Sequence, residues 1–228
     1  MNRILITGAG SGIGKALAIR LAERGNPLAL SSRSAEKLEA LEGRGSLFPA
    51  DLTQPGAAEK LLADTVEALG GVDVVVHCAG VGLIKAAADT TDVEFTHVMN
   101  VNTRGTFLLA REACRVMAIQ KKGLFITIPG ILGKAPMKNA SAYVASKYAV
   151  TGMIKCFAQE YQRSGIRFSL LHFGGVDTPF WDQISLAVQR EKMIPVETAV
   201  DHILHVLDTP SHLVLGEMVL QPESHQLI

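Results

Sequence analysis

Residues 4–25 read ILITGAGSGIGKALAIRLAERG, and this stretch decides the fold. Its apolar opening predicts a buried strand over Arg3–Thr7, and the spacing of apolar residues at its end predicts a helix over Ile13–Glu23. Four glycines join the two elements: Gly8, Gly10, Gly12 and Gly14. Glycine lets backbone N–H groups approach a ligand closely, and the following helix directs its positive end at a phosphate. A strand, a glycine-rich turn and a helix in this order are typical of dinucleotide binding.

The alternation of strand and helix continues along the chain. Short apolar runs predict six further strands: Leu28–Ser31, Ser46–Ala50, Val72–His77, Leu124–Ile128, Ile166–His172 and Leu213–Leu220. Helical spacing predicts five further helices: Ala35–Leu41, Ala57–Leu69, Val93–Gln120, Ser141–Arg163 and Val196–Leu207. Apolar strands that alternate with helices favour a parallel sheet covered on both faces. The prediction is an α/β fold: one Rossmann-type, doubly wound parallel sheet of about seven strands in a single domain over residues 1–228.

The end of the second predicted strand indicates which dinucleotide is bound. In this type of fold a carboxylate there binds the ribose 2′-hydroxyl, whereas an arginine receives a 2′-phosphate. The chain has Ser32 and Arg33 at this point, and both side chains can donate to phosphate oxygens. The sequence therefore predicts NADP(H) as the cofactor. The alternative is that Arg33 is only a solvated loop residue.

Composition excludes several functional classes. Lys plus Arg and Asp plus Glu both number 22, and this balance argues against nucleic acid or an anionic membrane as a partner. The cysteines Cys78, Cys114 and Cys156 are widely spaced and form no CxxC pair, so we predict neither a disulfide framework nor a metal site. No apolar run reaches the ~18 residues needed to span a bilayer, and no leader is recognisable. We expect a cytoplasmic protein with a small-molecule substrate.

Four segments resemble one protein family. They are TGAGSGIG at 7–14, HCAG at 77–80, NVNTRGTF at 100–107 and YVASK at 143–147. In this order they make nearly the whole chain similar to the short-chain dehydrogenase/reductase family. The resemblance implies a seven-stranded parallel sheet and reversible hydride transfer between a nicotinamide and a carbonyl or alcohol. It also implies a homodimer or homotetramer, with the helices predicted at 93–120 and 141–163 at the interface.

Tyr143 and Lys147 are the candidate catalytic pair. They are four residues apart on a predicted helix, so their side chains share one face. A phenol has an ordinary pKa of about 10, and a neighbouring ammonium lowers it toward the range useful for acid/base catalysis. The resemblance adds that Lys147 binds the nicotinamide ribose and that Asn102 holds a water in a proton relay. Simpler readings stay open: an ordinary amphipathic helix for the pair, and a helix-kink or surface amide for Asn102.

The resemblance also implies the residues that surround the cofactor. They are Gly8, Ser11, Gly12, Ile13, Gly14, Ser32, Arg33, Asp51, Leu52, Ala79, Gly80, Tyr143, Lys147, Gly174, Val176 and Thr178. In relatives the counterpart of Asp51 borders the adenine pocket, and that of Thr178 contacts the carboxamide side of the cofactor. A lid at about 177–195, rich in apolar residues such as Phe180 and Trp181, favours a small or moderately hydrophobic carbonyl substrate.

The chain departs from the family pattern at the position thirteen residues before Tyr143. Relatives have a serine there that binds the reacting carbonyl oxygen, whereas this chain has Gly130. A missing donor to a developing oxyanion costs about 10²–10³ in rate. We hypothesise that a backbone N–H near Gly130 takes over this role. The chain is then an NADP(H)-dependent oxidoreductase with Tyr143 as acid/base, or alternatively a weak or inactive NADPH-binding sensor or interaction protein.

Two smaller departures concern residues beside the cofactor. The family's Asn-Asn-Ala-Gly reads His77-Cys78-Ala79-Gly80 here, and its Pro-Gly reads Phe173-Gly174. Ala79 and Gly80 keep the close backbone approach to the adenosine side. We interpret His77 as a structural residue at a strand end.

Overall fold

Seven parallel strands form one sheet in the order β3-β2-β1-β4-β5-β6-β7. The computed structural model describes residues 1–184 and 186–227. The strands are β1 Ile4–Thr7, β2 Leu28–Ser32, β3 Ser46–Pro49, β4 Val74–His77, β5 Gly123–Thr127, β6 Ile166–Phe173 and β7 Glu217–Leu220. The strand order reverses between β1 and β4, where Thr7 pairs with His77 at the carboxyl ends of both strands. Such a reversal opens a crevice outside the carboxyl ends of the strands, which is where α/β proteins bind ligands.

Helices cover both faces of the sheet. They are α1 Gly12–Glu23, α2 Ala35–Glu39, α3 Ala57–Leu69, α4 Asp92–Val98, α5 Gly105–Gln120, α6 Ser141–Glu160 and α7 Val196–Leu207. Successive strand residues point to opposite faces, so Ile4 and Ile6 pack with α1 and α7 while Leu5 packs with α3, α5 and α6. The predicted fold class is confirmed. None of the helices in residues 1–184 and 186–227 combines the length and apolarity needed to cross a membrane.

The helix predicted over Val93–Gln120 is interrupted. Its path is continuous, but a π-helical segment, Met99–Arg104, separates α4 from α5. A π-helical turn has i→i+5 hydrogen bonds and is found mostly at functional sites. The predicted helix assumed one unbroken 3.6-residue period over Val93–Gln120 and therefore did not include this segment. The segment contains Asn102, whose side chain is buried.

Most other predicted elements agree with the structure to within three residues at each end, and two predictions need further description. The strand predicted over Leu213–Leu220 begins only at Glu217, because Leu213 and Val214 are exposed and lie outside the sheet. The predicted lid at 177–195 contains two short 3₁₀ turns, Pro179–Gln183 and Arg190–Lys192. Ser185 of the lid and Ile228 of the predicted domain lie outside the described residues.

Candidate active site

A cavity of about 870 Å³ lies at the carboxyl ends of the strands. Every residue predicted to surround the cofactor lines it: Gly8, Ser11, Gly12, Ile13, Gly14, Ser32, Arg33, Asp51, Leu52, Ala79, Gly80, Tyr143, Lys147, Gly174, Val176 and Thr178. Asn102 lies just behind the wall, because a Cβ built on Gly80 would be 3.2 Å from its Oδ1 atom. The structure therefore brings together residues that are spread over 170 positions of sequence.

The glycine turn is packed too tightly for side chains at two of its positions. Gly8 has φ +73°, and a Cβ there would lie 2.7 Å from the backbone nitrogen of Ala79. A Cβ on Gly14 would lie 2.3 Å from the carbonyl oxygen of Gly8. The turn therefore lies flat against the end of β4, and α1 begins beside it. This cradle fits a pyrophosphate, which the helix N-terminus and close backbone N–H groups bind.

Two cationic side chains lie at the far end of the cavity. Arg33 and Lys37 both line it, together with Ser32 and Ser34. A Cβ on Gly10 would lie 2.8 Å from both the Ser32 hydroxyl and Lys37 Cβ, so these residues border the glycine turn directly. Lys37 was not among the residues predicted to surround the cofactor. The sequence held a signal for it, since Lys37 lies only four residues after Arg33, and the pair fits a phosphate dianion.

Asp51 is fixed at the neighbouring strand end. Its Oδ1 atom accepts hydrogen bonds from the backbone N–H of Thr53 at 3.0 Å and from the Thr53 hydroxyl at 2.7 Å. Burial raises the pKa of the Asp51 carboxyl, but hydrogen bonds from Thr53 and Gln54 and the charge of Arg33 together outweigh it and hold the pKa below its usual value. A charged carboxylate thus borders the wall of the cavity.

Tyr143 and Lys147 share the face of α6 that points into the cavity. The Nζ atom of Lys147 lies 5.6 Å from the centre of the Tyr143 ring and donates a hydrogen bond to the carbonyl oxygen of Ile128 at 3.3 Å. The prediction that the two side chains lie together at the cavity agrees with this geometry. Lys147 is almost completely buried.

Asn102 connects three elements behind these residues. Its Oδ1 atom accepts the backbone N–H of Val81 at 2.9 Å, and its Nδ2 atom donates to the Val81 carbonyl at 2.9 Å. The Nδ2 atom also donates to the hydroxyl of Ser146 at 3.0 Å. Asn102 is therefore a buried cross-link and not a surface amide.

Burial sets the proton affinities of the catalytic pair. It lowers the pKa of Lys147 to about 8 and raises the pKa of Tyr143 above its ordinary value. We expected Lys147 to lower the pKa of Tyr143, and the direction is opposite. The reason is that burial of the phenol disfavours a phenolate, and the Lys147 ammonium, 5.6 Å from the ring centre, does not offset this effect. Tyr143 is consequently a protonated donor at neutral pH.

Gly130 occupies a conformation that other residues avoid. Its φ is +72° and its ψ is 175°. Its N–H donates to the carbonyl oxygen of Leu171 at 3.3 Å, and its own carbonyl oxygen lies 3.0 Å from Nδ1 of His172. The backbone N–H that we hypothesised as a substitute donor at Gly130 is therefore already bonded within the fold, and that hypothesis is wrong for this residue.

Replacing Gly130 by serine is expected to destabilise the protein by about 1–3 kcal/mol, because this backbone region is essentially restricted to glycine. Gly130→Ala is the matched control, since it carries the same backbone strain without a hydroxyl. Thermal denaturation of both variants measures the strain, and their turnover isolates the hydroxyl. Equal stability of wild type and Gly130→Ala would contradict the strained conformation.

An aromatic wall closes the cavity beside Tyr143. The Phe180 ring centre lies 6.2 Å from that of Tyr143, and Trp181 meets Phe180 edge-on at 5.3 Å. A Cβ on Gly82 would lie 2.3 Å from the Phe180 ring, so the ring packs directly against the backbone of Gly82. The indole N–H of Trp181 donates to the Val176 carbonyl at 2.9 Å and anchors the wall. The sequence did not reveal Gly82, because its role depends on this packing.

Known proteins are similar to the chain over most of its length. The sequence profile of the family described as short chain dehydrogenase matches residues 2–189. A short-chain dehydrogenase/reductase of Armillaria gallica is 36% identical over 198 residues, which cover 82% of this chain and 76% of that protein. A sepiapterin reductase of Chlorobaculum tepidum is 33% identical over an alignment of 235 positions, which covers 97% of this chain and 96% of that protein.

The fold is likewise shared with solved structures. An alcohol dehydrogenase from the archaeon Thermococcus sibiricus, complexed with 5-hydroxy-NADP, has a TM-score of 0.89 and 24% identity, with 98% of this chain and 97% of that chain covered. Levodione reductase has a TM-score of 0.87 and 26% identity, with 97% and 96% covered. Profile, sequence relatives and architecture agree, and the chain belongs to the short-chain dehydrogenase/reductase family.

Proposed function

We propose that the protein is an NADP(H)-dependent oxidoreductase that reduces a carbonyl or oxidises an alcohol. The observation that carries the proposal is a single cavity lined by both the glycine cradle and the Tyr143–Lys147 pair. The aromatic wall of Phe180 and Trp181 favours a small or moderately hydrophobic substrate. We propose a single domain over residues 1–228, with its lid at about 177–195, as the unit that performs this reaction.

The cofactor would lie along the cavity in one orientation. The glycine turn would hold the pyrophosphate, and Ser32, Arg33 and Lys37 would bind the 2′-phosphate. Tyr143 and Lys147 lie at the opposite end, where the nicotinamide belongs. When bound there, it supplies the hydride in reduction and accepts it in oxidation.

The chain's own residues move the proton. In reduction, Tyr143 donates its phenolic proton to the oxygen of the forming alcohol, and burial keeps this donor protonated beforehand. Lys147 is cationic below pH 8 and stabilises the phenolate that remains. Asn102, fixed to Val81 and Ser146, holds the relay that returns a proton from solvent. In alcohol oxidation Tyr143 must first lose its proton, so we propose that oxidation needs alkaline pH.

Arg33→Glu is expected to raise the KM for NADPH by about 10–100-fold and to leave the KM for NADH within ~3-fold. The reason is that a charge-assisted hydrogen bond contributes roughly 1.5–3 kcal/mol, and a carboxylate would repel the 2′-phosphate. Steady-state kinetics with each cofactor measures the change. Arg44→Glu is the control, because Arg44 is exposed and does not line the cavity. An Arg33→Glu enzyme that keeps its NADPH preference would contradict the assignment.

The test of the function combines binding and turnover in one preparation. Titration calorimetry compares NADPH with NADH, and absorbance of the reduced nicotinamide follows turnover with a panel of aldehydes, ketones and diketones. Tight NADPH binding with turnover supports the oxidoreductase. Absence of binding to either cofactor overturns it.

A second function, NADPH sensing without efficient turnover, is favoured by Gly130. No side-chain donor is present at this position, and the Gly130 N–H is bonded to Leu171. Tyr143 alone then donates to the substrate oxygen, and the loss is about 10²–10³ in rate. Tight NADPH binding without turnover on any carbonyl would support this second function.

We also propose a homodimer or homotetramer in the cytoplasm. Aromatic side chains are exposed on the helices that the family resemblance places at the interface: Phe95 on α4, Phe107 on α5 and Tyr148 on α6. Aromatic side chains are enriched at protein interfaces. Light scattering gives the mass, and a monomer would contradict this proposal.

A further inference from the structure

His77 lines the cavity together with Thr7 and belongs to a buried series of hydrogen bonds that connects this wall to α5. Its Nδ1 atom is 2.6 Å from the hydroxyl of Thr7, at the end of β1, and its Nε2 atom is 2.8 Å from the hydroxyl of Thr106 in α5. The Thr106 hydroxyl is 2.5 Å from the backbone carbonyl oxygen of Asn102. All four residues are at least 97% buried.

The donor and the acceptor of each of these three hydrogen bonds can be assigned. A carbonyl oxygen only accepts, so the single proton of the Thr106 hydroxyl goes to Asn102. Thr106 must then accept from Nε2–H of His77. Burial, and next Lys147, lower the pKa of His77 to about 3, so the ring is neutral and its Nδ1 accepts from the Thr7 hydroxyl.

This series of hydrogen bonds ends at Asn102, which joins the segment that follows β4 to α6, the helix that carries Tyr143 and Lys147. The Asn102 side chain is bonded to Val81 and to Ser146, which directly precedes Lys147 in α6. Its backbone carbonyl belongs to the π-helical segment, where a helix departs from its regular ladder of hydrogen bonds. Thr106, oriented by His77, is the side chain that binds this carbonyl.

We propose that His77 is a positioning residue for proton transfer, which acts through Thr106 on the backbone carbonyl of Asn102. This rests on the proposed function, because the relay at Asn102 belongs to it. His77 couples the strand that ends at the glycine turn to the π-helical segment, so that the cofactor cradle and the relay have one fixed spacing. A displacement of about 1 Å in a group that takes part in the reaction can lower the rate 10²-fold. His77 orients Thr106 and thereby controls one contact of Asn102.

Two amide substitutions separate this role from simple packing. The amide nitrogen of glutamine is as many bonds from the backbone as Nε2, so His77→Gln keeps the donor to Thr106 and loses the acceptor for Thr7. Asparagine reaches only the Nδ1 position, so His77→Asn keeps the contact to Thr7 and loses the one to Thr106. Each variant loses one buried hydrogen bond, and we expect similar melting temperatures.

We expect His77→Asn to lower kcat by roughly 10-fold with the KM for NADPH unchanged, and His77→Gln to keep most of the wild-type kcat. Thr106→Val should match His77→Asn, whereas Thr106→Ser, which keeps the hydroxyl, should match wild type. The Thr106 pair also serves if the histidine variants fail to fold. Equal kcat losses in His77→Asn and His77→Gln, or a loss confined to the KM for NADPH, would overturn the proposal.

Amide hydrogen exchange gives a readout that does not depend on turnover. In His77→Asn the amides of residues 99–106 should exchange roughly 10-fold faster, and in His77→Gln they should not, because only the first variant releases Thr106. If wild type shows no turnover but the exchange rates differ in this way, the proposed function fails, and only the structural coupling of His77 to residues 99–106 through Thr106 stands. If the exchange rates of the two variants are equal, the positioning role fails whatever the turnover.

Discussion

Tyr143→Phe is expected to lower kcat for carbonyl reduction by about 10²–10⁴-fold, the range that general acid catalysis contributes. The substitution removes only the phenolic oxygen, and the ring keeps its contact with Phe180. NADPH affinity should change by less than ~3-fold, because the glycine cradle and Arg33 are untouched. Calorimetry for binding and nicotinamide absorbance for turnover measure the two quantities separately.

Tyr148→Phe is the matched control for this experiment. Tyr148 lies on the same helix but is 43% exposed, and its hydroxyl donates to the Lys134 carbonyl. Its loss should leave turnover unchanged. Turnover that survives in Tyr143→Phe would show that another group protonates the substrate oxygen.

Lys147→Met is expected to abolish turnover and, at the same time, to stabilise the protein. Burial lowers the pKa of Lys147 from 10.5 to about 8, and each pKa unit corresponds to about 1.4 kcal/mol. The charged form therefore costs the fold about 3 kcal/mol at pH 7. Loss of the hydrogen bond to the Ile128 carbonyl offsets roughly 1 kcal/mol, and a net gain of about 2 kcal/mol remains. Urea denaturation measures it.

The stability that Lys147→Met gains over wild type should decrease as the pH rises. Because the pKa of Lys147 is lower in the folded than in the unfolded protein, the unfolded chain binds more protons between pH 8 and 10.5. Wild-type stability therefore rises through this window, and the advantage of Lys147→Met disappears above it. Lys138→Met is the control, because Lys138 is exposed. A stability difference that is constant from pH 7 to 11 would contradict a buried, titrating Lys147.

The apolar strands made most of the fold predictable. Runs such as Val74–Val76 are buried on both faces of a parallel sheet, so their composition alone identifies them. The π-helical segment at 99–104 was not predicted. Asn102 within it bonds to Val81 and Ser146, and helical spacing does not reveal contacts with residues so distant in sequence. Leu213 and Val214 are apolar, and this suggested that they belong to a strand. Apolar character alone does not show which residues the sheet includes, and both side chains are exposed.

Most members of the candidate site were predictable, although Lys37 and Gly82 were not predicted, and its electrostatics were not predictable. Helical spacing places Tyr143 and Lys147 on one face, and the structure shows them at one cavity. Spacing does not give burial, however, and burial raises the pKa of Tyr143 where proximity to an ammonium suggested the opposite. Gly130 was visible as a missing hydroxyl, but its positive φ and its bond to Leu171 were not. His77 shows the same limit, because its two partners lie on different elements.

The two apolar cores on either side of the sheet are completed at different times as the chain is synthesised. All buried members of the core beneath α3, α5 and α6 have been made once Leu170 is added. The other core needs Ile203 and Leu204 of α7 to cover Leu17 and Leu21 of α1. At a synthesis rate of about 5–20 residues per second, the apolar side of α1 waits roughly 10–40 seconds for its cover. During that interval the side of α1 that α7 later covers stays accessible, although α1 is among the first elements made.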